Sequence, residues 1–152
     1  MKTDLTVAGY IFYDNHLLLV EHKKLGLWLP VGGHIEPGEI PDEAMLREAK
    51  EEVGLDIKII DLGDQSYRGE NEIERCAMAF HSNVHPVGDH YHYCQFFLCE
   101  SDNKELSINE REISDAKWVS FTDLNNALSN IRPKGLEFLA FKRYGEIKHA
   151  VD

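Results

Sequence analysis

Short apolar runs near the N-terminus are separated by turn-forming residues. The segment 5–13 is rich in β-branched and aromatic residues, which predicts a strand. Asp14 and Asn15 predict a turn, and the apolar segment 16–22 predicts a second strand, so the two strands should form a hairpin. Residues 26–38 hold four glycines and two prolines and are predicted to form a loop.

After this loop the pattern becomes helical. Residues 41–53 are predicted to form a helix that ends before Gly54, a favoured residue at this position. Its apolar face, which we expect to pack on a sheet, comprises Met45, Leu46, Ala49 and Val53. Further strands are predicted over the segments 55–62, 73–82, 91–99 and 116–121.

Two more helices are predicted at the end of the chain. The first covers 124–130 with Thr122 or Asp123 as its cap, and the second is amphipathic and begins near Pro133. About six strands and three helices result, and the strands occur in hairpin-like pairs rather than alternating regularly with helices. This order predicts an α/β (α+β) fold, a mixed sheet with helices on its faces, in one domain over 1–152.

The charge balance narrows the possible partners. The chain has 27 Asp and Glu residues against 16 Lys and Arg, a formal net charge of −11. This argues against nucleic-acid polymers and anionic membranes, which attract basic surfaces. A small anionic substrate remains compatible, because a bound cation reverses the local field. The sequence shows neither a signal peptide nor an apolar run of membrane-spanning length, so we expect a cytoplasmic protein.

The predicted helix over 41–53 carries an acidic edge beside its apolar face. At about 100° per residue, Glu48 is a neighbour of Glu51 and Glu52, with Arg47 alongside. Like charges at this spacing repel, and Mg²⁺ or Mn²⁺ would relieve the repulsion because these cations prefer carboxylate oxygen. A solvated acidic edge tied down by Arg47 is the alternative.

The complete spacing around this helix resembles the Nudix box, G-x5-E-x7-R-E-U-x-E-E-x-G-U, where U is aliphatic. Every specified position is occupied: Gly33, Glu39, Arg47, Glu48, Ala49, Glu51, Glu52, Gly54 and Leu55. Seven fixed positions coincide by chance in about one of 10⁸ windows at roughly 7% usage per residue type. The flanks are similar too, with an L-W-L-P-V-G-G-H loop before the box and E-x5-W at Glu112 and Trp118.

This resemblance implies an α/β/α sandwich around a mixed sheet, and hydrolysis of a nucleoside diphosphate linked to another moiety with Mg²⁺ or Mn²⁺. The metal ligands it implies are the carboxylates of Glu48, Glu51 and Glu52 and the carbonyl of Gly32. Arg47 and Glu39 would orient those carboxylates. Glu112 resembles a downstream glutamate that some members use as a ligand or base, so Glu48 and then Glu112 are the candidate bases.

Two residues near the box are candidate substrate contacts. Trp28 could stack on a flat group, and His34 lies within the glycine-rich loop; the alternatives are a packing residue and a solvated loop residue. Ile40 departs from the expected pattern, because Ser or Thr would cap the helix better. A missing cap costs about 0.5–2 kcal/mol, so it affects stability more than the chemistry.

Histidines are concentrated in one later segment, at positions His81, His85, His90 and His92. On a strand, His90, His92 and Cys94 would share one face, which zinc could use. The short Cys/His pairing typical of structural zinc sites is missing from the sequence. A histidine-lined pocket wall or a polar sheet face is therefore the favoured interpretation.

Two other functions remain as alternatives on the same fold. A non-catalytic nucleotide-binding sensor usually lacks box carboxylates or adjoins a DNA-binding domain, and this chain shows neither feature. A diphosphate isomerase needs a catalytic cysteine and glutamate, and Cys76, Cys94 and Cys99 are available. The expected partner is a small phosphorylated nucleotide. The sequence does not determine the oligomeric state; because many members of the family are dimers, the resemblance is compatible with a homodimer.

Overall fold

The structure of the chain is a computed structural model that describes residues 2–126 and 134–151. Within these residues it forms ten strands and three helices. The strands are β1 (Thr3–Tyr13), β2 (His16–His22), β3 (Trp28–Leu29), β4 (Val31–His34), β5 (Ile57–Ile60), β6 (Gly69–Glu70), β7 (Ile73–Glu74), β8 (His81–Val87), β9 (His90–Ser101) and β10 (Ile113–Val119). The helices are α1 (Pro41–Val53), α2 (Phe121–Asn126) and α3 (Lys134–Val151).

The predicted mixed sheet is present, and it consists of eight strands. Its central order is β10-β2-β1-β9-β5, with β3 paired to β2, β4 to β1 and β8 to β9. The pairing of β1 with β9 is parallel, whereas the other pairings in this sheet are antiparallel. Strands β1 and β2 form the predicted hairpin, in which Asp14 and Asn15 both adopt positive φ.

The sheet is covered on both faces, which gives the expected layers of helix, sheet and helix. Because side chains alternate along a strand, β1 sends Val7 and Ile11 to one face, where they pack in a core with the α1 residues Met45 and Ala49. Its alternate residues, including Tyr10, pack in a second core with α3. We call these the α1 face and the α3 face. No helix within the described ranges is long and apolar enough to cross a membrane.

The predicted strand over 73–82 is wrong. The chain forms only the short β7 there, and the next strand in the main sheet, β8, starts at His81. Two backbone amides between these strands donate to side chains instead of to a neighbouring strand. Ala77 donates to Asp42 at 2.9 Å, and Met78 donates to Asp61 at 3.0 Å. These two carboxylates lie far away in the sequence, so a local pattern does not reveal the competition.

The ends of other elements also differ from the predictions. Strand β5 is shorter than 55–62, β9 extends beyond 91–99 at both ends, and β10 begins earlier than 116–121. Helix α2 begins at Phe121, and its cap is neither Thr122 nor Asp123: the hydroxyl of Ser120 accepts from the Asp123 amide at 3.1 Å. Residues 127–130 of the predicted helix, and Pro133, lie outside the described residues.

Candidate active site

Helix α1 carries most of the site, and its ends follow from local chemistry. Pro41 begins the helix after Ile40, which offers no side-chain cap, as expected. The Glu43 carboxylate partly compensates by accepting from the Ile40 amide at 3.1 Å. Gly54 ends the helix in the left-handed conformation with φ of 74°, as glycine allows. Leu46, predicted to be buried, is 43% exposed, whereas Met45 is fully buried.

Arg47 lies at the centre of a group of carboxylates. Its guanidinium donates to both oxygens of Glu39, at 2.7 and 3.0 Å. Its Nη1 donates to Glu48 at 3.0 Å and to Glu51 at 3.1 Å. Its Nη2 also donates to the carbonyl of His34 at 2.9 Å, which ties the helix to the end of β4. The geometry therefore allows Arg47 to fix the positions of two of the predicted metal ligands.

Two glycines in β4 allow the helix to approach the strand closely. The Gly32 amide donates to Oε2 of Glu52 at 3.1 Å. In an antiparallel strand the N–H and C=O of a residue point to the same side, so the Gly32 carbonyl also points away from β1. A β-carbon on Gly33 would overlap the carboxylate of Glu48. Only glycine leaves room for this carboxylate against the strand.

Burial and crowding change the acidity of the helix carboxylates. Glu52 is 3% exposed, and this burial, together with the nearby charge of Glu48, raises its pKa to about 9. Burial also raises the pKa of Glu48, although the adjacent Arg47 opposes this. The hydrogen bonds from Arg47 lower the pKa of Glu39. The site therefore holds one buried carboxylate, Glu52, and one partly buried carboxylate, Glu48, that resist simultaneous ionisation.

Glu112 belongs to a segment that packs on the end of α1. The amides of Ser107 and Asn109 donate to the helix carbonyls of Val53 and Glu52, at 2.9 and 2.8 Å. The Glu112 amide in turn donates to the Asn109 carbonyl at 3.1 Å. The charge of Glu112 contributes to the raised pKa values of both Glu48 and Glu52. The structure thus brings the predicted downstream glutamate close to the box, on an exposed loop.

The donor set fits a hard divalent cation. Glu48, Glu51 and Glu52 offer carboxylate oxygens, and Gly32 offers a carbonyl, which are the ligand types that Mg²⁺ and Mn²⁺ prefer. A cation would also offset the burial and the mutual repulsion that raise the pKa values of Glu48 and Glu52. Glu51 is more open to solvent than the others, with its side chain 56% exposed, so it borders the site on the solvent side.

The two candidate substrate contacts lie on the α3 face or at its edge. Trp28 is only 7% exposed and packs in the α3-face core, with Nζ of Lys117 5.2 Å from its ring centroid. His34 is exposed, and its Nε2 lies 3.2 Å from a carboxylate oxygen of Asp4. Sequence reasoning missed Asp4, because only the pairing of β1 with β4 places it near His34. Contact of Trp28 or His34 with a substrate stays a prediction.

Comparisons with known proteins agree with this geometry. The family model described as "NUDIX domain" matches residues 2–140. A nucleoside triphosphatase NudI from Salmonella arizonae is 32% identical over 117 residues, 73% of this chain and 78% of that protein. A NudI from Klebsiella pneumoniae is 31% identical over 101 residues, 66% of this chain and 67% of that protein.

A solved structure agrees as well. The crystal structure of a NUDIX-family hydrolase from Clostridium perfringens superposes with a TM-score of 0.83 at 29% identity, covering 95% of this chain and 99% of that one. The fold agrees with what the Nudix box predicts. A mixed sheet is covered by helices, and a carboxylate-rich helix lies against a glycine-rich strand. The chain belongs to the Nudix family and is a Nudix hydrolase.

Proposed function

We propose that this Nudix hydrolase cleaves a phosphoanhydride bond in a nucleoside triphosphate or another nucleoside diphosphate derivative, using Mg²⁺ or Mn²⁺. One observation carries the proposal: Glu48 and Glu52 converge, largely buried, on the glycines of β4. The similarity to proteins named nucleoside triphosphatase favours a triphosphate as the first substrate to test.

The residues that would hold the cation are Glu48, Glu51 and Glu52, with the carbonyl of Gly32. When bound, the cation neutralises the phosphates and holds them in line for displacement. Arg47 keeps the carboxylates of Glu48 and Glu51 in place through its two hydrogen bonds from Nη1. Its further bonds to Glu39 limit its own movement.

Glu48 is the first candidate for the base. Its Oε1 accepts from Arg47, which leaves Oε2 as the oxygen open to the cation or to a proton from the attacking water. The water oxygen forms a bond to phosphorus, and the bond from phosphorus to the bridging oxygen breaks, with its electron pair leaving on that oxygen. Burial favours this role, because a raised pKa brings a carboxylate closer to the range in which it exchanges protons efficiently. Glu112 is the second candidate.

The cysteines offer no support for an isomerase. Burial raises the pKa of Cys94 to about 11 and also raises the pKa of Cys99. The pKa of the exposed Cys76 is raised too, by partial burial and by the charges of Asp42 and Glu74. Catalytic thiols need the opposite shift, toward the thiolate. All three cysteines therefore resemble ordinary packing or surface residues.

A substrate panel tests the proposal. Ribo- and deoxyribonucleoside triphosphates, nucleoside diphosphates, ADP-ribose, NADH and dinucleoside polyphosphates are incubated with the protein and Mg²⁺ or Mn²⁺, and the products are separated by ion-exchange chromatography. We expect metal-dependent release of phosphate or pyrophosphate from at least one triphosphate. Hydrolysis of none of these compounds, together with micromolar binding of one, would contradict the proposal and support the nucleotide sensor.

A further inference from the structure

We propose that Asp4, His90 and His92, with His34 as a fourth ligand, form a second metal site, for a divalent transition-metal cation such as Zn²⁺. The site lies on the α3 face of the sheet, at the end where β1 begins and β4 ends. Imidazole nitrogen combined with a single carboxylate is a donor set that suits Zn²⁺ and its neighbours in the transition series rather than Mg²⁺.

Strand pairing brings the ligands together. Asp4 of β1 lies directly beside His92 of β9 in the parallel ladder. His90 is two residues before His92, so its side chain points to the same face. His34 ends β4, where it pairs with Thr6, two residues from Asp4 on the same side of β1. Three strands that are distant in the sequence thus place their polar side chains at one point.

The distances between the ligand atoms match those around a tetrahedral ion. Bonds of 2.0–2.1 Å from zinc to nitrogen place two tetrahedral ligands about 3.3 Å apart. Nε2 of His90 lies 3.2 Å from Nε2 of His92 and 3.6 Å from Oδ2 of Asp4. Nε2 of His34 lies 3.2 Å from the same Asp4 oxygen. Asp4, His90 and His92 therefore already place their ligand atoms within reach of one ion, and a rotation of the His34 side chain would add the fourth ligand.

His90 has a carboxylate beside its second ring nitrogen, as histidine ligands of metals commonly do. Its other ring nitrogen, Nδ1, lies 3.1 Å from Oδ1 of Asp89. Histidines that bind metal through one nitrogen commonly donate from the other to a carboxylate, which sets the tautomer and orients the ring.

This second site is separate from the box carboxylates. Met45 lies against Gly9 of β1, which places the odd-numbered positions of this part of the strand under α1 and Asp4 on the opposite face. His34 connects the two sites, because its carbonyl accepts from Arg47 while its ring lies beside Asp4. Cys94, which shares the strand face with His92, is buried in the α3-face core and is not one of the proposed ligands.

Zinc binding in the presence of excess Mg²⁺ tests this proposal. Protein without an affinity tag is titrated with Zn²⁺ by calorimetry, and the side-chain nitrogens of histidine are followed by NMR. We expect one Zn²⁺ per chain, shifts of the His34, His90 and His92 signals, and a higher Tm, because the ion binds only the folded chain. The exposed His149 of α3 should not shift.

Four variants locate the binding. His90→Ala/His92→Ala should weaken Zn²⁺ binding by at least about tenfold, since loss of even outer partners costs that much. His149→Ala and the box variant Glu48→Gln/Glu52→Gln should bind as the wild type does. Asp4→Asn gives an independent loss of one ligand, should the double histidine variant fail to fold.

Several outcomes would overturn the proposal. Absence of Zn²⁺ binding by the wild type in excess Mg²⁺ would identify the cluster as histidines that only hydrogen-bond one another. Zn²⁺ binding that survives both His90→Ala/His92→Ala and Asp4→Asn would equally exclude these ligands. Binding lost in the Glu48→Gln/Glu52→Gln variant alone would place the ion at the box.

Discussion

The two faces of the sheet carry polar clusters that arise in different ways. On the α1 face, Arg47, Glu48, Glu51 and Glu52 lie on adjacent turns of one helix, so helical periodicity alone brings them together. On the α3 face, Asp4, His34 and His92 come from three strands and meet only through the sheet register. The first cluster can be predicted from a linear pattern, whereas the second requires the fold.

The clusters also differ in charge. The box has several carboxylates around one guanidinium, and burial together with the nearby charge of Glu48 raises the pKa of Glu52. The second cluster has histidines around one aspartate, and both Lys2 and His34 contact that aspartate. Excess negative charge suits a hard cation with phosphate substrates, and neutral imidazole suits a transition metal. If hydrolysis depends only on the α1-face carboxylates, substitutions on the α3 face should leave the turnover unchanged.

Substitution of the proposed base should give the largest effect on the reaction. We expect Glu48→Gln to lower kcat by about 10²- to 10⁴-fold, the range associated with general acid–base catalysis. Glu112→Gln should have a smaller effect, because this side chain is exposed and is the second candidate. Steady-state kinetics on the best substrate of the panel measures both. A larger loss in Glu112→Gln would reverse the assignment of the base.

Substitutions of two adjacent glycines should have different effects. One should mainly lower kcat, and the other should mainly lower the stability of the fold. The added methyl of Gly33→Ala meets the Glu48 carboxylate, so we expect the side chain to move and kcat to fall by about 10²-fold with little change in Tm. The methyl of Gly32→Ala meets the β1 backbone at Val7 and Ala8, and should destabilise the fold by about 1–3 kcal/mol. Thermal melts and steady-state kinetics measure the two effects. An equal loss of stability in Gly33→Ala and Gly32→Ala would contradict this account.

A buried carboxyl on the α3 face should affect stability but not catalysis. Glu137 of α3 is fully buried and lies 3.4 Å from the Tyr10 hydroxyl, and burial raises its pKa from 4.5 to about 7. Between these values the unfolded chain loses the proton while the folded chain keeps it. Stability therefore falls as the pH rises through this window, by at most about 3 kcal/mol.

Glu137→Gln isolates this contribution, because the amide stays neutral at every pH. We expect the variant to match the wild type near pH 4.5 and to be more stable at pH 8. Urea unfolding at the two pH values gives the difference in the free energy of unfolding. An identical pH dependence in the two proteins would show that Glu137 does not carry the shifted titration.

The sequence was sufficient to predict helix α1, which carries the Nudix box residues. It was insufficient where contacts between residues distant in the sequence determine the structure. Pro41, Gly54 and the apolar spacing between them predicted α1 to the residue. The strand predicted over 73–82 does not form, because the carboxylates of Asp42 and Asp61 accept hydrogen bonds from two of its backbone amides. Leu46 is exposed because the helix buries a narrower stripe than its apolar residues suggested.

The measurement that tests the central claim most directly is the metal-dependent turnover of Glu52→Gln. This change keeps an oxygen that can accept from the Gly32 amide but removes the charge that a cation would bind. Glu146→Gln, at an exposed position of α3, is the matched control. We predict that Glu52→Gln lowers kcat by about 10²-fold or more with an unchanged fold by circular dichroism, and that the control retains full activity. Wild-type turnover by Glu52→Gln would contradict the assignment of the site to the α1 carboxylates.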